Sequence, residues 1–180
     1  MLNSQTAESI VDHALSLGAD FAEIFIEKNE TNVISTLSND VQSVESGINF
    51  GIGLRLIYGT KVLYGYTNKT DREELLRIAS VLAAKDLRDP VNTSMSFNFN
   101  QIIDIHPARK ILSVDAEIES KVAYLMAADQ AARAAGKLIS QTRGSCMQRE
   151  QWIEIFNSDG LHTSDRRNYI RANLTAIASD

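Results

Sequence analysis

The chain has 180 residues, of which 44% are hydrophobic and 23% charged, and its net charge is −5. These values suit a soluble protein of one domain or two small ones, with enough length to bury a real core. They argue against a direct nucleic-acid partner, which would favour a basic stripe. The N-terminal residues lack a basic segment followed by an apolar run, so we expect no secretion signal. The chain has a single cysteine and no apolar stretch near the ~20 residues that span a bilayer. We therefore predict a cytoplasmic protein without a membrane partner.

The first predicted helix covers residues 7–17, where apolar side chains recur at helical spacing. Ser4 or Thr6 is the expected N-cap, because a hydroxyl oxygen can accept a hydrogen bond from the first turn. Gly18 stands where a helix commonly ends.

Two strands are predicted next, over residues 20–27 and 33–37, from the alternation of apolar and polar side chains. Asn39-Asp40 is the expected turn, since both residues favour turn conformations. Residues 41–46 form a further short strand before Gly47, so that several antiparallel strands should follow one another here.

A β-hairpin is predicted from residues 50 to 66, where two alternating runs flank Gly59. The pattern leaves its register open. A two-residue loop would oppose Tyr58 to Lys61 and divide the large side chains between two faces of the sheet. A three-residue loop would oppose Tyr58 to Val62 and gather them on one face, and a slip of one residue exchanges the faces.

Three glycines of one parity, Gly51, Gly53 and Gly65, lie inside this hairpin. Glycine in a strand costs stability, so these positions indicate either a bend in the sheet or a close approach by another chain or helix. The pattern favours the bend.

A second helix is predicted after Thr70, because Thr70 and Glu73 have the spacing of a capping box. It should end before Asp89-Pro90, since proline restricts the residue that precedes it. The following residues have no clean period, although a brief alternation in residues 94–102 is compatible with a short strand.

The longest predicted helix covers residues 113–135 and ends at Gly136. Its expected apolar stripe is formed by Ile118, Val122, Leu125, Ala128 and Ala132. Strands are expected over residues 138–147, 151–157, 161–163 and 169–179, with a turn at Ser158-Asp159-Gly160.

This order of elements predicts an α+β fold, with mainly antiparallel sheet and two or three amphipathic helices packed on one face. Residues 1–88 form a unit of helix, antiparallel strands and helix. Residues 89–112 form a connection, and residues 113–180 form a long helix with antiparallel strands. Because the chain stops directly after a predicted strand, we expect the second unit to be truncated at its C-terminus.

The residues that could carry chemistry have no supporting motif. His13, His106 and His162 lack a second His, Cys or Glu at metal-ligand spacing, and Cys146 has no partner motif. No Gly-x-Ser-x-Gly elbow, dinucleotide fingerprint or phosphate loop is present. We therefore predict no catalytic, cofactor-binding or metal-binding residue in this chain, with Cys146 acting as a small buried hydrophobe.

Several of these segments together resemble the N-terminal region of the TldD/PmbA family, which is known as modulators of DNA gyrase and as metallopeptidases. The segments that carry the resemblance are residues 18–24 after the first helix, Gly47 with residues 51–55, residues 65–67, the capped second helix, and residues 155–160 at the late turn. The resemblance covers nearly the whole chain, from about Thr6 to Asp180.

The resemblance implies a parent protein more than twice this long, with its His-Glu-x-x-x-His zinc helix in the part that follows. It implies a substrate that is a peptide or unfolded segment, and assembly with identical or related family members. This chain would be a non-catalytic N-terminal domain that contributes to the substrate cleft or dimer interface. The alternatives are a stand-alone binding or assembly module that pairs through an exposed sheet edge, and the N-terminal part of the family's metal-free companion subunit.

Overall fold

The computed structural model describes residues 2–86, 89, 100–102 and 117–179. Within these residues the elements are α1 Ser4–Ser16, β1 Phe21–Leu37, β2 Asp40–Tyr58, β3 Lys61–Thr67, α2 Arg72–Ala83, β4 Asn100–Ile102, α3 Ile118–Ala135, β5 Ile139–Asn157 and β6 Leu161–Ala178. The strands form one sheet in the order β3-β2-β1-β5-β6-β4. This confirms the predicted α+β class, with mainly antiparallel sheet and three helices in the described part of the chain.

The chain forms two compact units. The first comprises Met1–Lys28, Phe50–Pro107 and Trp152–Arg166, and the second comprises Asn29–Asn49, Ala108–Gln151 and Arg167–Asp180. The predicted connection 89–112, with His106, lies almost wholly outside the described residues, so a division of domains there stays a prediction. No helix in the described residues is long and apolar enough to cross a membrane.

The core of unit 1 lies between α1, α2 and one face of the sheet. Its fully buried side chains include Ile10, Ile24, Leu54, Tyr58, Leu75 and Phe156. The helices contribute stripes at helical spacing, and the strands contribute every second residue, so both periodicities read from the sequence converge on this core.

Two predicted helix caps are wrong. Asn3, not Ser4 or Thr6, caps α1, and its Oδ1 accepts a hydrogen bond from the Thr6 backbone N–H at 2.7 Å. α1 begins at Ser4, three residues before the first residue of the predicted apolar pattern, Ala7. Its N-cap therefore lies earlier in the chain than expected. At α2 the N-cap is Asp71 without a side-chain capping bond, so Thr70 does not form the predicted capping box.

The strands are longer than predicted, because polar stretches interrupt the alternation of side chains without interrupting the backbone pairing. β1 joins the predicted strands 20–27 and 33–37, and β2 passes through Gly47 without a break. β5 and β6 likewise each join two predicted strands. The turn between β1 and β2 is Ser38-Asn39, with φ of 48° and 66°, one residue earlier than predicted.

The β2–β3 hairpin adopts the two-residue loop, with Tyr58 opposite Lys61 and Gly59 at a φ of 61°. Leu56 and Leu63 then face the helices, whereas Val62 and Tyr64 lie on the opposite face, each 59% exposed. The large side chains are therefore divided between the two faces of the sheet. The face that carries Val62 and Tyr64 is exposed to solvent in this chain.

Close approach by a helix accounts for one of the three hairpin glycines, Gly65, whereas the bend stays a prediction. A Cβ added at Gly65 would lie 2.8 Å from Ile78 Cγ2 on α2. One added at Gly53 would meet only the outer end of the Tyr64 side chain, which is 59% exposed and can turn away into solvent. At Gly51 the nearest atom would be 3.8 Å away, so a side chain has room there. The helix approach that the sequence left open is thus observed at Gly65.

In unit 2, α3 buries the face that carries the predicted apolar stripe, and two polar residues lie on that face as well. Its buried residues are Lys121, Leu125 and Asp129, and the predicted Ile118 is 40% exposed. Leu125 packs with Ile34 and Cys146 in a small core. Val122 of the predicted stripe packs against this core. Lys121 and Asp129 are four residues from Leu125 on either side and share its face, and apolar periodicity does not reveal such buried polar residues.

Candidate functional site

The two described histidines each have a local partner within unit 1. His13 Nε2 lies 2.9 Å from Ser80 Oγ and links α1 to α2. His162 Nε2 lies 2.9 Å from Glu154 Oε1, and its ring stacks on Phe156 with centroids 4.1 Å apart. The third histidine, His106, lies outside the described residues. Among the described residues no group of three or more His, Cys, Asp or Glu could hold a metal ion, so these residues do not fit a zinc site.

A cleft of about 480 Å³ lies in unit 1 and is the candidate functional site. Its lining residues come from β1, β2, β5 and the segment before α2: Ile26, Lys28, Phe50, Thr70, Trp152, Ile153 and Glu154. Side chains two residues apart in a strand lie on the same face of the sheet. Ile26 therefore lies beside Lys28, and Trp152 lies beside Glu154. The cleft thus combines a mostly apolar lining with two charged side chains, the usual chemistry of a binding pocket.

Trp152 makes cation–π contacts with two basic side chains. Lys28 Nζ lies 5.0 Å from its ring centroid, and Arg166 Cζ lies 5.3 Å from it. Contacts of this kind stabilise an exposed site by about 0.5–1 kcal/mol each, because the ring face carries negative charge density. The two contacts hold the indole in place as one wall of the cleft.

Glu154 supplies the negative charge of the cleft. It is only 8% exposed, and its Oε1 accepts from His162 because a carboxylate has no proton to donate. Its other oxygen, Oε2, has no hydrogen-bond partner among the described residues. A buried acceptor of this kind favours a ligand that brings an N–H group or a cation.

The outer edge strand β3 carries the second notable surface. Val62 and Tyr64 are each 59% exposed, and Tyr66 is 81% exposed. Apolar residues on an edge strand are a common basis for pairing with another strand. This surface is a candidate for assembly rather than for chemistry.

Cys146 is buried and has no disulfide, as predicted for a small hydrophobe. Burial raises the pKa of its thiol, and the charge of Lys121 lowers it to a smaller extent. The thiolate that nucleophilic chemistry requires is therefore disfavoured.

Unit 2 contains a buried polar network that was not predicted from the sequence. Asp129 is 2% exposed and accepts hydrogen bonds from Thr142 Oγ1 and from Arg133 Nε, the latter at 3.0 Å. The hydrogen bond from Thr142 is the main cause that lowers the pKa of Asp129, and Arg133 and the Asn39 backbone N–H lower it further. The i,i+4 spacing of Asp129 and Arg133 was the available signal. No such signal existed for Trp152 and Lys28, which are distant in sequence.

Comparison with known proteins supports the family resemblance. Residues 22–85 match the family model described as PmbA/TldA metallopeptidase domain 1, and residues 112–180 match that of the PmbA/TldA metallopeptidase central domain. No curated protein matches the chain.

Three solved structures share the fold. A candidate modulator of a DNA gyrase from Thermotoga maritima aligns with a TM-score of 0.74 at 12% identity, over 98% of this chain and 40% of that chain. A candidate modulator of DNA gyrase from Bacteroides thetaiotaomicron aligns with a TM-score of 0.73 at 14% identity, over 98% of this chain and 41% of that chain. TldE from Thermococcus kodakarensis aligns with a TM-score of 0.67 at 15% identity, over 97% of this chain and 40% of that chain.

At these identities the structural likeness shows the fold, whereas the family models match two domains in succession along the sequence. The chain spans about two fifths of the length of these solved structures. Because two domain models of one family together match most of its length, the chain belongs to the PmbA/TldD family.

Proposed function

We propose that this chain is a non-catalytic N-terminal portion of a PmbA/TldD-type metallopeptidase that acts on peptides or unfolded segments. The observation that carries the proposal is the pair of successive matches, to domain 1 and to the central domain of a family described as metallopeptidases. Zinc and its ligands would belong to the remainder of the parent protein.

The role of this portion is to bind the substrate, and the unit 1 cleft is the surface that suits it. Phe50 and Trp152 offer apolar contacts to side chains, and Glu154 offers an acceptor to a backbone N–H or a basic group. A lining of this kind recognises features common to many peptides rather than one sequence.

The proposal is tested by mixing the chain with a reduced, carboxamidomethylated protein, which stays unfolded. Binding is followed by the fluorescence of Trp152, the single tryptophan, which lines the cleft. Cleavage is followed by mass spectrometry, and bound metal by elemental analysis. We expect binding without cleavage, and stoichiometric zinc together with turnover would contradict the non-catalytic role.

A matched pair of variants locates the binding surface. Glu154→Gln removes the charge of the cleft and should weaken binding by about tenfold, the effect of losing one hydrogen bond to a charged group. Glu73→Gln makes the same chemical change at an exposed position of α2 and should leave binding unchanged. Equal affinities for the two variants would remove the cleft from the proposal.

Assembly through β3 is the second candidate function, favoured by its exposed Tyr64 and Tyr66. A stand-alone assembly module would associate with itself or with a related chain in sedimentation experiments and would not bind the unfolded protein. The dimer-interface role in a longer parent protein draws on the same surface.

A further inference from the structure

A second cavity, of about 240 Å³, lies within unit 2 at the beginning of α3. Residues of β1, β2 and β5 and the first turn of α3 line it, among them Glu30, Asn32, Ser46, Ile48, Ile118 and Lys121. Its volume is below the ~300–1,000 Å³ of sites for whole drug-sized ligands, so it suits a single chemical group on a short stem.

Lys121 is the unusual residue of this cavity. Its side chain is 4% exposed, and its only hydrogen bond among the described residues runs from Nζ to Asn32 Oδ1 at 3.5 Å. An ammonium group has three donors, and a buried charge is costly unless it is paired. No carboxylate of the described residues forms an ion pair with Lys121.

The position of Lys121 on its helix adds to this cost. α3 begins at Ile118, so Lys121 lies in the first turn, and the N-cap Glu117 makes no side-chain capping bond. The N-terminal end of a helix carries a partial positive charge and attracts anions. The exposed carboxylates of Glu117 and Glu119 offset part of this potential, but neither forms an ion pair with Lys121 in the described part of the chain, so a bound anion would still stabilise the buried ammonium.

The other side chains that line the cavity include both polar and apolar groups. Asn32 Nδ2 donates to Ser46 Oγ at 2.9 Å, which turns its Oδ1 toward Lys121. Glu30 also lines the cavity, but it has an interaction partner other than Lys121. Ile48 and Ile118 offer apolar contact to the stem that would carry an anionic group.

We propose that this cavity binds a carboxylate on a short apolar stem, with Lys121 as its ion-pair partner. The carboxylate can come from a small organic acid or from the terminus or an acidic side chain of a peptide. The peptide source rests on the proposed function, whereas binding of a small acid does not.

The test titrates N-acetyl-alanine, which has a carboxylate on a short stem, into the chain and measures binding by calorimetry. N-acetyl-alanine amide has the same stem without the charge and should not bind. Lys121→Met keeps the length of the side chain and should weaken binding by at least about tenfold, as expected for loss of a charge-assisted contact. Lys137→Met makes the same change at an exposed lysine of unit 2 and should bind like the original chain.

If Lys121→Met does not fold, thermal unfolding of the original chain tests the proposal instead. N-acetyl-alanine, but not its amide, should raise the thermal midpoint of the original chain with increasing concentration, because it binds the folded state. Equal effects of acid and amide, undiminished binding to folded Lys121→Met, or tighter binding of inorganic phosphate would each overturn the proposal. Failure of unfolded-protein binding at the unit 1 cleft leaves this titration unaffected, so the two proposals fail separately.

Discussion

The substitution Gly65→Ala tests whether α2 rests directly on the β3 backbone. The new Cβ would lie 2.8 Å from Ile78 Cγ2 and 3.4 Å from Leu82 Cδ1, both on the buried face of α2. Ile78 is 8% exposed and cannot turn into solvent, so the helix or the strand must move. Overpacking of this kind lowers the free energy of unfolding by about 1–3 kcal/mol. Replacing glycine also restricts the backbone of the unfolded chain, which raises the free energy of unfolding by about 0.4–1 kcal/mol.

Gly51→Ala is the matched control in the adjacent strand. Its Cβ would meet only Thr67 O, at 3.8 Å, which is ordinary contact. This variant should therefore be neutral or more stable by up to about 1 kcal/mol. The predicted gap in the free energy of unfolding between the two variants is about 1–3 kcal/mol, with Gly65→Ala the less stable.

Urea unfolding followed by Trp152 fluorescence measures this gap, because that tryptophan belongs to unit 1. A double-mutant cycle with Ile78→Ala identifies the contact, since removal of Cγ2 should reduce the cost of Gly65→Ala. Equal stability of Gly65→Ala and Gly51→Ala would show that α2 does not press on this strand. A cost of Gly65→Ala that Ile78→Ala leaves unchanged would assign the strain to another neighbour.

Two further predictions concern unit 2. Asp129→Asn should lower the free energy of unfolding at pH 7 by about 1.5–3 kcal/mol, the contribution of a hydrogen bond to a charged group. Because folding lowers the pKa of Asp129 from its ordinary 3.8, that contribution is complete above about pH 4 and declines as pH falls through the folded pKa. Urea titrations from pH 7 to pH 3 check this, and a difference independent of pH would contradict it. Cys146 should resist a thiol reagent in the folded chain and react only on unfolding, because it is buried with a raised thiol pKa; rapid labelling without denaturant would contradict its burial.

Local signals were sufficient for most elements of the fold. Residues 7–17 have the apolar spacing of a helix, and Gly18 ends α1 with a φ of 89°. The turn at Ser158-Asp159-Gly160 likewise follows from residues that favour turns, and Gly160 has a φ of 81° there. Such features depend on neighbours in sequence, which is why a pattern predicts them.

Features that depend on partners distant in sequence were not predicted. The polar stretch near Asn29 reads as a break, yet β1 continues through it because neighbouring strands pair with its backbone. The buried face of α3 includes the polar Lys121 and Asp129 beside the apolar Leu125, and Asp129 accepts a hydrogen bond there from Thr142. A sequence pattern records hydrophobicity but not the partner that makes burial of a polar group tolerable.

The sequence by itself determined the order of helices and strands, the α+β class and the family, since each rests on local periodicity or on motifs in succession. The tertiary structure alone decided the hairpin register, the close approach of α2 to Gly65, and the two cavities around Glu154 and Lys121. These features depend on packing and electrostatic contacts between segments that are far apart in the chain. Such contacts form only in the folded protein, so a local sequence pattern does not record them.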